Sequence, residues 1–243
     1  MLRVQKLREA MKKEAVDAFL VTSPYNLRYL TNFTGTTGLA VITLDKAFFV
    51  TDFRYTEQAA KQAQGYEIVK NTGLIFDEVA RICQEEEINA LAFEETQVTF
   101  AEYTVLEDII EESALVPIAG MIENLREVKD ETEIATIQQA CHIADQAFSH
   151  ILKMVRPGMT EIEVANQLDF FMRSLGATSV SFETIVASGV RSAMPHGVAS
   201  DKIIAQGDLI TLDFGCYYNG YVSDMTRTFA IGDPGEKLKE IYQ

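Results

Sequence analysis

Asp213 and Asp224 stand eleven residues apart in ITLDFGCYYNGYVSDMTRTF, residues 210–229. Between them lies Asn219-Gly220, the pair favoured in a two-residue type I′ turn, where both central positions need positive φ. That turn sets Tyr218 against Tyr221, Asp213 against Thr226 and Asp224 against Gly215. Side chains alternate with period two, so both aspartates fall on one face as diagonal neighbours, together with Thr211, Thr226 and Thr228. Leu212, Phe214, Met225 and Phe229 fall on the other face. The diagonal spacing is about 7–8 Å, which lets the two carboxylates share one metal ion or a pair. Acids are poor strand formers, and two in mid-strand favour a metal site over the plainer reading of a solvated hairpin face. Two carboxylates do not complete such a site, because a hard cation takes further oxygen or imidazole ligands.

A second candidate is His196, in the turn-like Met194-Pro195-His196-Gly197. This context holds an imidazole near a cavity instead of in a packed face. A surface histidine is the alternative that the residues alone leave open. His142 and His150 fall on a long helix without an HExxH pattern or cysteine pairs, and read as solvated or core-edge residues. Cys216 lies near Asp213 on the opposite face of the strand and reads as a small buried apolar residue. Neither a glycine-rich phosphate loop nor a nucleophile elbow is present. The acidic runs Glu85–Glu87 and Glu111-Glu112 read as solvated helix ends.

The elements that must position these residues are legible as two regions. Over 1–120, strand and helix signals alternate. A helix opens the chain, a strand follows at 17–23, and Pro24 starts a short helix to Leu30. Two apolar runs meeting at Asp45-Lys46 form an antiparallel hairpin. Helices near 54–64, 75–87 and 100–112 then alternate with strands near 66–70 and 90–93. This pattern is an α/β layer domain with a mixed sheet. Residues 121–129 read as a linker. Asp130 with Glu133 then caps a long helix whose apolar positions are Ile134, Ile137, Cys141, Ala144, Phe148, Ile151 and Val155. Arg156-Pro157-Gly158 stops it. Thr160 with Glu163 starts a second helix that buries Val164, Leu168, Phe171 and Met172 and ends at Gly176. A strand at 182–187 leads into SGVRSAMPHG, and the Asn-Gly hairpin follows. The chain ends inside a helix that begins near Pro234.

Composition narrows the function classes. With 21 basic against 36 acidic residues the net charge is −15, which disfavours nucleic acid and anionic membranes and suits divalent cations. The N-terminal stretch is an amphipathic helix and not a signal peptide, and the longest apolar stretch, 38–50, is too short to span a membrane. Three widely spaced cysteines do not form a disulfide framework, so a cytoplasmic location is expected.

Several segments together resemble the Xaa-Pro aminopeptidase and proline dipeptidase family of dinuclear metallopeptidases. They are YNLRYLTNFTGTTG (25–38), VTDFRYTEQA (50–59), REVKDETEIATIQQACHIADQAF (126–148) and VRPGMTEIEVA (155–165). To these are added SFETIVASGVRSAMPHGVASDKIIAQGDLITLDFG (181–215) and YNGYVSDMTRTFAIG (218–232). The resemblance implies a creatinase-type α/β domain over 1–120, followed over 130–243 by the first half of an α+β pita-bread domain. It implies that Asp213 and Asp224 ligate two divalent ions, with Asp224 bridging, and carboxylate-rich ligation favours manganese. It implies that His196 contacts the substrate and stabilises the tetrahedral intermediate. The implied reaction is hydrolysis of an Xaa-Pro bond, in a dipeptide or at a peptide N-terminus, by a hydroxide bridging the ions.

In that family a second half-domain supplies a further His and two Glu ligands, so this chain is expected to be a fragment, inactive alone. A homodimer is expected by resemblance only. Two rivals share the fold. Creatinase uses no metal, against which both aspartates argue. A non-catalytic peptidase-like binding module, as in a histone chaperone subunit, would use the acidic charge to hold a basic partner.

Overall fold

A computed structural model describes residues 2–242. Two compact units divide between Val128 and Lys129. The first contains α1 (Leu2–Lys13), β1 (Ala18–Val21), α2 (Pro24–Thr31), β2 (Leu39–Thr43), β3 (Ala47–Thr51), α3 (Thr56–Gln62), β4 (Glu67–Lys70), α4 (Ile75–Glu85), β5 (Ala90–Glu94), α5 (Phe100–Ile109), β6 (Ala114–Ile118) and α6 (Met121–Glu127). Its six-stranded sheet runs β4-β3-β2-β1-β5-β6. β1–β2 and β2–β3 are antiparallel, and β3–β4, β1–β5 and β5–β6 are parallel. The sheet is therefore mixed, as the hairpin at Asp45-Lys46 requires. Every residue of β1, β2 and β3 is buried, which explains their continuous apolar runs: both faces are covered. Leu7, Met11, Phe19, Phe49 and Ile122 share one core. Leu20, Val41, Val50, Val79, Ile82 and Leu106 share the other.

Two elements differ from expectation. β6, missed because Pro117 interrupts its signal, pairs in parallel along the sheet edge, where proline is tolerated. The expected linker at 121–129 instead contains α6, because Met121 and Ile122 are buried in the core with Leu7 and Leu27. A buried polar network also ties α6 down. Asn26 Nδ2 donates to Glu94 Oε1 and to Glu123 Oε1, each at 2.6 Å, and Arg126 Nη1 donates to Asn26 Oδ1 at 2.8 Å. The amides of Thr22 and Ser23, at the start of α2, donate to Glu94 Oε2 at 2.6 and 2.7 Å.

The second unit begins with α7 (Glu131–Met154) and α8 (Glu161–Ser174). Both helices open on reciprocal caps, Asp130 with Glu133 and Thr160 with Glu163, as their spacing predicts. On α8, Val164, Leu168 and Met172 are fully buried. On α7 the buried apolar residues are Ala140, Ile143, Ala144, Ala147 and Ile151. Of the expected stripe, Ala144 and Ile151 are buried and Phe148 and Val155 pack against the core, whereas Ile134 and Cys141 are exposed. Alanines line the seam because a small side chain lets the helix lie close to the sheet, and a pattern built on large apolar residues misses them.

The strands of this unit are β7 (Ser179–Val180), β8 (Ile185–Ser188), β9 (Leu209–Phe214), β10 (Cys216–Tyr218), β11 (Tyr221–Val222) and β12 (Met225–Ala230), with α9 (Glu236–Tyr242) last. They form two three-stranded sheets, β12-β9-β8 and β11-β10-β7. Among the described residues no helix is long and apolar enough to cross a membrane.

Candidate metal site and histidine loop

The hairpin keeps one register across both sheets. Asp213 pairs with Thr226 and Phe214 with Met225 in one, and Tyr218 with Tyr221 in the other. Its turn has φ of 46° at Asn219 and 90° at Gly220, the positive values that a type I′ turn requires. Leu212, Phe214 and Cys216 are fully buried on the helix side. On the opposite face Asp213 is half-buried and Asp224 is exposed. The Thr226 hydroxyl donates to Asp213 Oδ1 at 2.8 Å, which orients that carboxylate. Thr211 and Thr228 link their hydroxyls at 3.1 Å on the same face.

Asp224 lies in the gap between β11 and β12, where the hairpin passes from one sheet to the other. Gly215 is directly across from it in that register. A Cβ at Gly215 would lie 1.8 Å from the Ser223 carbonyl oxygen, so the crossing needs glycine. Beyond it, Ser223 N donates to Cys216 O and Cys216 N to Ser223 Oγ, each at 3.0 Å. The residue preceding Asp224 is thus held at both its amide and its side chain.

His196 is exposed, on the loop between β8 and β9. The loop starts with a 3-10 turn, Gly189–Ala193, and its Val198 bridges to Ile185. Ile185 pairs on its other side with Asp213. Two strand spacings therefore separate the Val198 and Asp213 backbones, about 10 Å. The loop that carries His196 and the strand that carries Asp213 flank the same residue of β8.

The remaining histidines stay away from this face. His142 is exposed on α7, and His150 stacks on Phe171 with ring centroids 4.1 Å apart. Among the described residues no group of three or more His, Cys, Asp or Glu gathers into a metal cluster. The donors that are present, two carboxylates and flanking hydroxyls, are hard oxygens of the kind that Mg, Mn and Ca prefer. They suit a divalent ion as part of a larger ligand set.

Two contributors escaped sequence reasoning in different ways. Thr226 was placed opposite Asp213 by the register, but its hydrogen bond was not foreseen. Glu161 in α8, fully buried and bonded to the histidine loop, gave only the signal of another acid in a helix's first turn.

Comparison with known proteins agrees with this architecture. Residues 3–128 match the model of the creatinase/prolidase N-terminal domain, and residues 135–243 match that of metallopeptidase family M24. A Bacillus subtilis protein named uncharacterized peptidase YqhT is 51% identical over 242 residues, covering 100% of this chain and 69% of the relative. The Xaa-Pro dipeptidase of Pyrococcus furiosus is 37% identical, covering 99% of this chain and 68% of its own. Among solved structures, an Xaa-Pro dipeptidase from Bacillus anthracis superposes with a TM-score of 0.96 at 52% identity, covering 100% of this chain and 68% of that one. The second unit is accordingly part of a pita-bread domain. A creatinase-type unit, a helix-backed hairpin with two outward aspartates and these matches agree: the chain belongs to metallopeptidase family M24.

Proposed function

We propose that the protein to which these residues belong hydrolyses the bond between a first residue and a following proline, in dipeptides or at peptide N-termini. What supports this reading is a hairpin register that sets Asp213 against Thr226 and leaves Asp224 exposed just before β12, in a chain with Xaa-Pro dipeptidases among its relatives. Asp213 and Asp224 would hold divalent metal, with manganese favoured by carboxylate-rich ligation. When bound, such ions supply Lewis-acid activation of water and of the scissile carbonyl. Thr226 keeps the Asp213 carboxylate in one orientation. His196 offers an imidazole N–H to the developing oxyanion or to the peptide. The bridge of Val198 to Ile185 and the pairing of Ile185 with Asp213 tie the base of the His196 loop to the strand that carries Asp213.

Because no third ligand gathers at these aspartates among the described residues, the 243 residues by themselves are proposed to be inactive. The protein is further proposed to act in the cytoplasm as a homodimer. The test is Asp224→Asn in the full-length enzyme, with manganese affinity by calorimetry and hydrolysis of an Xaa-Pro dipeptide measured together. Both should be lost. Retention of both would overturn the assignment.

A further inference from the structure

Glu161 is 0% exposed, yet it carries a carboxylate that α8 does not need. The helix start is already satisfied by Thr160 and Glu163. A buried carboxylate is costly unless its lone pairs are filled, and here they are filled from a different element. Oε1 accepts from the Ser188 amide and hydroxyl, each at 2.8 Å. Oε2 accepts from the Ser200 amide at 3.1 Å, from the Ser200 hydroxyl at 2.7 Å and from Arg191 Nη1.

These donors lie at the two ends of one loop. Ser188 closes β8, Arg191 is in the 3-10 turn, and Ser200 follows Val198. Arg191 Nη2 donates onward to the Val198 carbonyl at 2.9 Å. Outside this clasp, Lys202 Nζ braces the base of the loop, donating to Ser188 Oγ at 2.7 Å and to Asp208 Oδ2 at 2.8 Å. Between the bound ends lies the Met-Pro-His-Gly segment.

We propose that Glu161 is a positioning residue whose two carboxylate oxygens clasp opposite ends of the 188–200 loop and thereby fix where His196 stands relative to Asp213. Its functional meaning rests on the reading of His196 as the substrate-facing imidazole, whereas the clasp itself is a separate claim. One oxygen serves the entry to the loop and the other its exit and its arginine. Glutamine keeps the shape but has one acceptor oxygen. Whichever way its amide turns, one end of the loop meets an N–H in place of an acceptor.

Hydrogen exchange and histidine imidazole NMR on the full-length enzyme test this directly, with the His142, His150 and His196 signals assigned by single-histidine substitution. In Glu161→Gln, amides within 189–200 should exchange about tenfold faster, and the His196 signal should shift. The His142 and His150 signals and the α7 amides should not change. Unchanged loop exchange together with an unmoved His196 signal would overturn the clasp. A uniform rise in exchange across α7 and the loop would overturn it as well, because Glu161 would then be a general stability residue.

Should Glu161→Gln fail to fold, Ser200→Ala removes the hydroxyl donor from the exit end, keeps the residue-200 amide and leaves the charge paired with Arg191. It should loosen 194–200 and move His196, and no change there would overturn the proposal. Asp224→Asn, which decides the metallopeptidase reading, should leave both clasp readouts unchanged. The two claims therefore fail separately.

Discussion

The hydroxyl of Thr226 donates to Oδ1 of Asp213 across the hairpin, 2.8 Å away. A carboxylate on an open strand face otherwise rotates freely, and this bond holds it in one orientation. Partners that orient a metal ligand typically account for about 10–100-fold in affinity. Thr226→Val in the full-length enzyme should therefore weaken manganese binding by at least about tenfold. Thr226→Ser, which keeps the hydroxyl, should stay close to the parent. Calorimetric titration of both variants checks this.

Gly215 gives a sharper stability prediction. Its added Cβ would sit 1.8 Å from the backbone oxygen of Ser223 and 2.5 Å from Ser181 Oγ. The nearer obstacle is main chain and cannot swing away. Gly215→Ala should cost about 3 kcal/mol or more, seen as a fall of roughly 10 °C in the melting of the second unit. Because Gly215 faces Asp224, the same variant should lose metal affinity even where it remains folded.

Acid should act through Glu161. Burial pushes its carboxyl up, but the hydrogen bonds from Ser200 and Ser188 outweigh burial and hold it below its ordinary value of 4.5. A carboxyl depressed in the folded state stabilises that state above the unfolded pKa and loses the contribution as pH falls through the folded one. The stability gap between the parent and Glu161→Gln should thus be constant near neutrality and narrow below about pH 4.5. Urea unfolding of both proteins from pH 7 to pH 3 measures it, and the other carboxylates largely cancel in the difference.

The thiols should separate cleanly. Burial pushes Cys83 up to about 11 and also raises Cys216, whereas Cys141 is exposed. The thiolate is the reactive form. A disulfide reagent at pH 8 should therefore label one cysteine of the native chain, Cys141, and all three after denaturation.

Much of this arrangement was legible before any coordinates, for identifiable reasons. Asn219-Gly220 fixes a register, and a register fixes which side chains share a face, so the Asp213–Thr226 pairing followed from counting. The capping boxes at Asp130 and Thr160 likewise marked two helix starts. What stayed hidden depended on partners distant in sequence. β6 is a strand because β5 lies beside it, despite Pro117. α6 is a helix because Met121 and Ile122 find a core. The seam of α7 is lined by alanines, whose small size matters only once the sheet is in place. Glu161 resembles any first-turn acid until the loop 27 to 39 residues later folds back onto it.

The two-residue turn between Asp213 and Asp224 also bears on when the ligand pair arises as the chain folds. A short closure costs little conformational entropy, and hairpins form in about 1–10 μs, so the carboxylates become neighbours by a local event. Once close, two like charges repel, and the negative net charge of the chain adds to that strain. A divalent cation captured at that moment would favour the closed hairpin over the open chain by mass action. If the two aspartates ligate metal as proposed, metal supply would be linked to maturation of the chain as well as to its chemistry.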